Sequence, residues 1–208
     1  MSVSRYPELQ RIDQEVQECI RCLLSRTRTK SVPGEGSASA QVVFVGEAPG
    51  EKEDIEGRLF VGKAGRLLSE LLTSIKLDRE TVYITNIVKC RPTTRGLSER
   101  GAVEWIGDRK PTNEEIAAGV PYLETQIRII QPKIICTLGD TATQFILEKY
   151  GLKPRNISKV HGRIYSADDI KIVPMYHPAA ALYTARLKAV LEKDIRKIAG
   201  LLEQTTLV

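Results

Sequence analysis

The segment QVVFVGEAPG (41–50) decides the fold class of this 208-residue chain. Its first half is a short apolar run, rich in β-branched residues and ending in glycine, which is the pattern of a buried parallel strand. The loop that follows contains Glu47, and more carboxylates come after it at 51–56. It matches neither GxGxxG nor the GK[ST] ending of a P-loop, and its acidity would repel a phosphate. The loop therefore indicates either a turn that needs glycine for its backbone conformation or a site that offers backbone N–H groups to a neutral carbonyl.

Strand and helix patterns alternate along the rest of the chain. Short apolar runs predict further strands at 81–88, 133–139 and 171–177, and apolar residues at helical spacing predict helices at 62–75, 113–130, 140–151 and the C-terminus. This order predicts a single domain, residues 1–208, of the α/β class. The expected architecture is a three-layer α/β/α sandwich on a four-stranded, mostly parallel sheet.

Two stretches have patterns of their own. Apolar residues at helical spacing from Pro7 to about Leu24 predict a first helix, with Cys19 and Cys22 at its end. Residues 91–112 are polar and contain glycine, so they are predicted to be irregular. In the helix that follows, Pro121 is expected to cause a break or a restart.

The composition restricts the class of protein. Hydrophobic residues make up 42% and charged residues 27%, which are ordinary globular values, and a formal net charge of +5 allows a polyanionic partner without requiring one. No run approaches the roughly 18 apolar residues of a membrane span, and the N-terminus lacks the apolar region of a secretory signal. We therefore expect no membrane association and an intracellular location, where structural disulfides are rare.

The four cysteines are accordingly predicted to be ligands or core residues. Cys19 and Cys22 form a CxxC pair and Cys90 follows a predicted strand, so these three thiols resemble part of a zinc or iron–sulfur site. A CxxC pair alone is also found in redox proteins. Cys136 lies within a predicted strand and is expected to be a small, buried core residue.

Ligands of parallel α/β sheets bind at the carboxyl ends of the strands. The predicted strands end at Glu47, Asn86, Gly139 and His177, so these residues are expected to share one mouth. The Asn86 amide offers one acceptor and two donors, which suits the edge of a base or an imide. A turn-forming Asn86 and a structural His177 are the alternatives when each residue is taken alone.

Five motifs occur in one order: GEAPG (46–50), GRLFVGKAG (57–65), TNIVKCRP (85–92), PTNEEIAA (111–118) and YHPAA (176–180). Together they resemble the family four uracil-DNA glycosylases of thermophilic archaea and bacteria, over nearly the whole chain from Cys19 to the last helix. The resemblance implies an enzyme of base excision repair that flips a deoxyuridine out of DNA and hydrolyses its N-glycosidic bond, leaving an abasic site. It also implies a structural [4Fe–4S] cluster.

The resemblance implies how the base would be bound. Uracil would accept hydrogen bonds from backbone N–H groups near Ala48 and Phe60. The Phe60 ring would stack on the uracil face, and the Asn86 amide would pair with its O4 and N3–H. Cytosine would be rejected because it presents a donor where uracil presents O4 and has no proton on N3.

The resemblance also implies catalytic roles. His177 would donate to the uracil O2 while negative charge develops there. A carboxylate would stabilise the sugar as it becomes positive or would orient the attacking water. Glu47 is the first candidate for this carboxylate, and Glu53 or Asp54 is the second; no definite general base is assigned.

Further residues are expected to contact DNA, through its phosphates or as a wedge in the duplex. The phosphate candidates are Lys63, Arg66, Arg91, Arg95 and the basic run RTRTK (26–30), and the wedge candidates are Leu182, Tyr183 and Arg186. For each basic residue, a solvated surface position is the alternative. We expect a monomer, and the C-terminal LEQTTLV (202–208) is a weak candidate for a replication-clamp peptide because it lacks an aromatic pair.

One position departs from the family pattern, because this chain has Gly119 where the fourth cluster cysteine is expected. Cys19, Cys22 and Cys90 leave three arrangements open: a cluster with a non-cysteine or solvent fourth ligand, a three-iron cluster, or a packed loop without a cluster. We expect a [4Fe–4S] cluster held by the three cysteines, and Asp108, in a longer than usual stretch, is a candidate substitute ligand. A catalytically weak relative that binds damaged DNA or senses redox state is the alternative function.

Overall fold

The computed structural model describes residues 6–97 and 103–206 of the chain. In chain order the strands are β1 (Glu35–Gly36), β2 (Val42–Gly46), β3 (Tyr83–Asn86), β4 (Thr93–Leu97), β5 (Val103–Asp108), β6 (Ile134–Leu138), β7 (Tyr165–Ala167) and β8 (Ile170–Met175). The helices are α1 (Tyr6–Gln17), α2 (Glu51–Glu56), α3 (Lys63–Ser74), α4 (Asn113–Ile130), α5 (Asp140–Lys149), α6 (Ile157–Val160), α7 (Pro178–Ala181) and α8 (Ala185–Thr206).

Six of the strands form one central sheet in the order β1-β3-β2-β6-β8-β7. The four strands predicted from the sequence, β2, β3, β6 and β8, are parallel neighbours at its centre. Because β1 and β7 add antiparallel edges, the sheet has six strands where the sequence predicts four. These edge strands have two and three residues, which is too short for an alternating pattern to be recognised.

The centre of the sheet is buried on both faces. Every residue of β2 is buried: Val43 and Val45 belong to one hydrophobic cluster, and Val42 and Phe44 to another. Helices α1, α4 and α5 contribute to the first cluster, and α3 and α8 contribute to the second. The structure thus confirms the three-layer α/β/α sandwich on a mostly parallel sheet.

α4 runs through Pro121 without interruption, so the predicted break is wrong. Its first turn is fixed by a capping box, in which Thr112 and Glu115 accept each other's backbone N–H. Pro121 removes only one backbone donor from a helix of 18 residues whose inner face is well packed. Within the part of the chain that the structure describes, no helix is both long and apolar enough to cross a membrane.

α1 ends at Gln17 rather than near Leu24. The apolar spacing that suggests a longer helix continues into Ile20 and Leu23, which are 83% and 70% exposed and contribute nothing to the core. Cys19 and Cys22 follow the helix in an irregular turn and pack against the first hydrophobic cluster. The chain therefore leaves the helix at the point where the two thiols turn towards the core.

Residues 91–112 contain a β-hairpin instead of the irregular loop that the sequence predicts. β4 and β5 pair antiparallel and form a sheet of their own. Thr93 pairs with Asp108 at the base of this hairpin, and the Arg109 N–H donates to the Pro92 carbonyl at 3.2 Å. The sequence does not reveal the hairpin because β4 is polar and contains glycine, and the few apolar residues of β5 are too short a run to establish an alternating pattern. Its base returns the chain to the carboxyl ends of β2 and β3.

Candidate functional site

A pocket of about 270 Å³ lies where β2 and β3 end and the chain enters α7. The predicted catalytic and base-binding residues that line it are Glu47, Ala48, Glu53, Phe60, Asn86 and His177. This volume is just below the range of about 300–1,000 Å³ that is usual for sites of drug-sized ligands, and it suits a group as small as one nucleobase. Three of the four predicted strand ends, Glu47, Asn86 and His177, thus line one pocket, and Gly139 is not among its lining residues.

Gly46 allows two of the predicted base-binding side chains to meet at the end of β2. A Cβ built on Gly46 would lie 2.2 Å from Asn86 Oδ1 and 3.4 Å from the tip of the Phe60 ring. Neither Gly46 nor Gly50 has a positive φ, so neither glycine is required by a left-handed turn. Gly46 is required because the Asn86 amide, which is 2% exposed, lies directly against its backbone.

His177 is held as a neutral donor. Its Nδ1 accepts the backbone N–H of Ala179 at 3.2 Å and so caps α7. Burial lowers the pKa of His177 to about 4, and the charge of Glu53 opposes this only in part. A neutral imidazole whose Nδ1 is an acceptor carries its proton on Nε2. The ring lies 5.6 Å from that of Phe60, nearly parallel to it at 26°.

The three candidate carboxylates have different surroundings. The Asp54 carboxylate is 4% exposed, accepts the Thr29 N–H through both oxygens at 3.0 and 3.1 Å, and does not line the pocket. These contacts favour a structural role for Asp54 over the predicted catalytic one. Glu53 lines the pocket, but its Oε1 accepts two backbone N–H groups, at 3.0 and 3.3 Å, in the loop before α3. Among the side chains that the structure describes, none pairs with the Glu47 carboxylate, so it is the most available of the three.

The hairpin adds a wall to the pocket that sequence patterns do not reveal, formed by Asp108 and Arg109. Asp108 Oδ1 accepts from Arg91 Nε at 2.6 Å, and Arg91 also lies 3.8 Å from Glu51. The Arg91 side chain is only 10% exposed and is paired with these carboxylates, which argues against its predicted phosphate contact. Asp108 is likewise part of the pocket wall and paired with Arg91, which argues against its role as a cluster ligand. Only the three-dimensional pairing reveals either fact.

Other predicted DNA contacts lie on the surface around the pocket. Lys63 and Arg66 are exposed on the first turns of α3. Leu182, Tyr183 and Arg186 are exposed directly after α7, with Tyr183 at 89%. These five residues are accessible to a duplex that presents a base to the pocket. The side chain of Arg95 and the last two residues of LEQTTLV lie outside the described part of the chain.

The three candidate ligand cysteines share one region behind β3. Cys19 and Cys22 are half-buried, Cys90 is buried, and all three contact the first hydrophobic cluster. Burial raises the pKa of Cys90, and the hydrogen bond that Arg28 Nη1 donates to its sulfur at 3.2 Å opposes this only in part. Among the described residues, no three His, Cys, Asp or Glu side chains are placed to hold a single metal ion. Cys136 is fully buried in β6, which confirms it as a core residue.

Gly119 lies where α4 touches the backbone that leads from the pocket to Cys90. A Cβ at Gly119 would be 2.3 Å from the Ile87 carbonyl oxygen and 3.1 Å from the Val88 Cα. Distances below 3.0 Å require something to shift, and the nearest atom here is backbone. Any side chain at this point, including that of a cysteine, would therefore require α4 or the Ile87–Val88 backbone to shift.

A small pocket at the strand ends of an α/β/α sandwich is the usual position of a ligand site in the class of parallel α/β proteins, and comparisons with known proteins give the family. The profile of the uracil DNA glycosylase superfamily matches residues 33–198. The chain is 47% identical to the type-4 uracil-DNA glycosylase of Sulfurisphaera tokodaii, over 91% of this chain and 83% of that protein. It is 43% identical to the type-4 uracil-DNA glycosylase of Archaeoglobus fulgidus, over 91% of each chain. The chain belongs to the uracil DNA glycosylase superfamily and, within it, to the type-4 family.

Proposed function

We propose that this chain is a uracil-DNA glycosylase of base excision repair, which hydrolyses the N-glycosidic bond of a flipped deoxyuridine and leaves an abasic site. The names of its type-4 relatives support this function. The observation that carries it is the meeting of Phe60, Asn86 and a neutral His177 in one base-sized pocket. These three side chains supply a stacking surface, a reader of the base edge and a donor.

The proposed base recognition follows from the chemistry of the pocket. The Asn86 amide offers a donor to uracil O4 and an acceptor to N3–H, and the backbone near Ala48 offers N–H groups. Cytosine would leave both atoms of the amide mispaired in a buried position, which is a costly mismatch. Thymine differs from uracil only by a methyl group, so its exclusion depends on the pocket wall rather than on the amide.

The proposed chemistry uses His177 as a neutral donor. As the glycosidic bond breaks, negative charge moves onto the uracil O2, where Nε2–H of His177 would stabilise it. The low pKa of His177, about 4, keeps the imidazole uncharged at neutral pH, so that no proton has to leave before the base binds. A donor that is already oriented by its bond to Ala179 needs little rearrangement in the transition state.

The sugar becomes positive in the same step, and we propose that Glu47 stabilises it. Its carboxylate faces the pocket without a partner among the described residues, whereas Glu53 is engaged by two backbone N–H groups. A negative charge beside an oxocarbenium-like sugar lowers the barrier, because the attraction strengthens as positive charge develops. The acidic loop that disfavours phosphate therefore suits this role.

The direct test is incubation with DNA that contains one uracil, followed by alkali. Strand breaks at the uracil, and none at thymine in a matched duplex, are expected. Intact uracil DNA at a large excess of enzyme would refute the proposed activity, and binding without breaks would favour a damaged-DNA-binding relative.

We further propose that Cys19, Cys22 and Cys90 hold a [4Fe–4S] cluster whose fourth corner has no protein side chain. Thiolates are the usual ligands of such clusters, and the three sulfurs lie in one region. Gly119 itself has no side chain to offer, and its close packing against the Ile87 carbonyl supports an arrangement without a fourth ligand at that position. When bound, the cluster would serve as a structural tie between the turn after α1 and the segment after β3.

Native mass spectrometry of anaerobically purified protein tests the cluster independently of activity. A mass increment of four irons and four sulfides that is absent from the Cys90→Ser variant is expected. An increment of three irons would instead support the three-iron arrangement, and a bare polypeptide mass would refute both.

The remaining assignments are also proposals. We propose that Lys63 and Arg66 contact phosphates and that Leu182, Tyr183 and Arg186 form the wedge, because all five are exposed around the pocket. The protein would act as a monomer on DNA inside the cell. A clamp contact through the C-terminal segment stays a weak prediction.

A further inference from the structure

The loop that carries Phe60 has an uncommon conformation. Phe60 has a φ of 49°, in the left-handed region that bulky residues usually avoid. Gly65 of α3 lies immediately beneath it: a Cβ there would be 1.5 Å from the Phe60 carbonyl oxygen. An aromatic residue keeps such a conformation only when its surroundings fix it, and such residues cluster at functional sites.

Arg79 fixes the loop from its carbonyl side. Its Nη1 donates to the Phe60 carbonyl at 3.3 Å, and its Nη2 donates to the Leu59 carbonyl at 2.5 Å. Its Nε donates to Oε1 of Glu35 at 2.9 Å. The side chains of Arg79 and Glu35 are only 22% and 21% exposed, so solvent competes little for these contacts. A planar guanidinium bridges the two carbonyls and the carboxylate with donors spread over three nitrogens, a geometry that the single nitrogen of a lysine does not reproduce.

Glu35 connects this loop to the reader of the base. It belongs to β1, where it pairs with Ile84 of β3, and β3 ends at Asn86. The tip of the Phe60 ring and the Asn86 amide meet over Gly46. The position of Phe60 relative to Asn86 is therefore set through Arg79 and the edge of the sheet as well as by direct packing.

We propose that Arg79, with Glu35 as its counter-ion, is the positioning residue of the base-stacking surface. It holds Phe60 in the left-handed conformation that presents the ring at a fixed place beside Asn86 and His177. Without the guanidinium, the two carbonyls lose their donors, the backbone of Phe60 relaxes, and the ring leaves its place against the base. The inference rests on the proposed stacking role of Phe60, through which Arg79 acts.

A double-mutant cycle tests this role by single-turnover excision of uracil from duplex DNA. Loss of one base–aromatic stack corresponds to a fall in rate of about 5- to 150-fold, so we expect Arg79→Ala to be about ten-fold slower than the wild type. The double variant Phe60→Ala/Arg79→Ala should be no slower than Phe60→Ala alone, because both changes remove the same interaction. If Arg79→Ala acted through a general loss of stability, the double variant would instead be slower than Phe60→Ala.

Three further variants keep the test decisive. Arg79→Lys retains the charge and should be nearly as slow as Arg79→Ala, and Glu35→Gln should show a smaller loss that is also absent in the Phe60→Ala background. These two conservative changes replace Arg79→Ala if melting curves show that it is unfolded. The control is Arg58→Ala, because Arg58 contacts the same Glu35 at 3.5 Å but is 66% exposed. Its rate should stay within about two-fold of the wild type.

The outcomes separate the inference from the function on which it rests. The positioning role would be overturned if the fold-decreases in rate of the two single variants multiplied in the double variant, or if Arg79→Ala and Arg58→Ala had equal rates. Neither result would affect the proposed glycosylase activity. An unchanged rate for Phe60→Ala would overturn the stacking role and the inference with it. A wild type that cuts no uracil DNA would refute the proposed function itself.

Discussion

The base pocket and the cysteine region lie at the two ends of one short segment, Asn86 to Cys90, but they differ in completeness. In the pocket, side chains from several parts of the chain converge, and the glycine at its base, Gly46, makes room for a functional amide. In the cysteine region, three thiols are present, and the glycine, Gly119, makes room only for backbone. A glycine thus permits a functional group in one region and excludes one in the other.

The segment between the two regions explains how the pocket can be fully formed although the cysteine region lacks a fourth thiol. Lys89 is buried, and its ammonium donates to the Asn86 carbonyl at 2.7 Å, to Thr85 at 2.6 Å and to Gln126 at 2.8 Å. These bonds fix Asn86, the proposed reader of the base, with protein groups alone. The pocket is therefore held by packing and hydrogen bonds rather than by a fourth thiolate.

The largest expected effect concerns the donor of the pocket. His177→Ala removes the group proposed to stabilise charge on the uracil O2, so the single-turnover rate should fall by about a hundred- to a thousand-fold. The control is His161→Gln, because His161 is the other histidine and pairs with Asp194 at 2.8 Å, outside the pocket. Equal rates for the two variants at a temperature where both are folded would contradict the role of His177.

The second effect is the protonation of His177. Because its pKa is about 4 when folded against an ordinary 6.5, the unfolded chain takes up this proton first. The contribution of His177 to the free energy of unfolding is therefore present above pH 6.5 and lost as pH falls towards 4. Nitrogen NMR at pH 5.5 should show a neutral ring protonated on Nε2, and a charged ring would count against the donor geometry.

The free energy of unfolding should distinguish a closely packed glycine, Gly119, from a glycine in an open position, Gly200. Gly119→Ala and Gly119→Cys must push α4 away from the Ile87 carbonyl, so each should lower the free energy of unfolding by about 1–3 kcal/mol. Gly200→Ala, in an open position of α8, should raise it by up to about 1 kcal/mol. Chemical denaturation measures all three. A Gly119→Cys variant of wild-type stability that binds more iron would show that the fourth ligand position is usable.

The smallest expected effect concerns the salt dependence of DNA binding, which should distinguish the exposed Arg66 from the buried Arg91. Arg66→Ala should weaken DNA binding and reduce the slope of log affinity against log salt by about 1, because one phosphate contact is lost. Arg91→Ala should leave this slope unchanged, since Arg91 is paired with Asp108 and Glu51. Fluorescence titrations at several salt concentrations check both, and a reduced slope for Arg91→Ala would restore it as a phosphate contact.

Sequence patterns are most informative where function depends on the ends of strands. Apolar runs locate β2 and β3, and the rule for parallel sheets is enough to place Glu47, Asn86 and His177 at one mouth. The motif order indicates the family, and it marks Gly119 as a departure without a physical reason. That reason, the contact of α4 with the Ile87 backbone, becomes visible only in three dimensions.

Sequence patterns are least informative where long-range bonds from side chains to backbone or between charges decide the role of a residue. Asp54 and Glu53 are one residue apart in an acidic run, yet Asp54 binds the Thr29 N–H and only Glu53 lines the pocket. Arg91 belongs to the same kind of basic pattern as Arg66, yet it is buried between carboxylates. Such pairings join segments far apart in the chain, and no local spacing encodes them.

The most direct test of the account is the base selectivity of Asn86→Asp, measured as single-turnover excision from matched duplexes that contain uracil or cytosine. A carboxylate accepts from the amino group of cytosine but cannot donate to the O4 of uracil. We predict that uracil removal slows and that removal of cytosine, absent in the wild type, becomes measurable. Unchanged rates and unchanged selectivity would contradict the claim that this pocket identifies its base through Asn86.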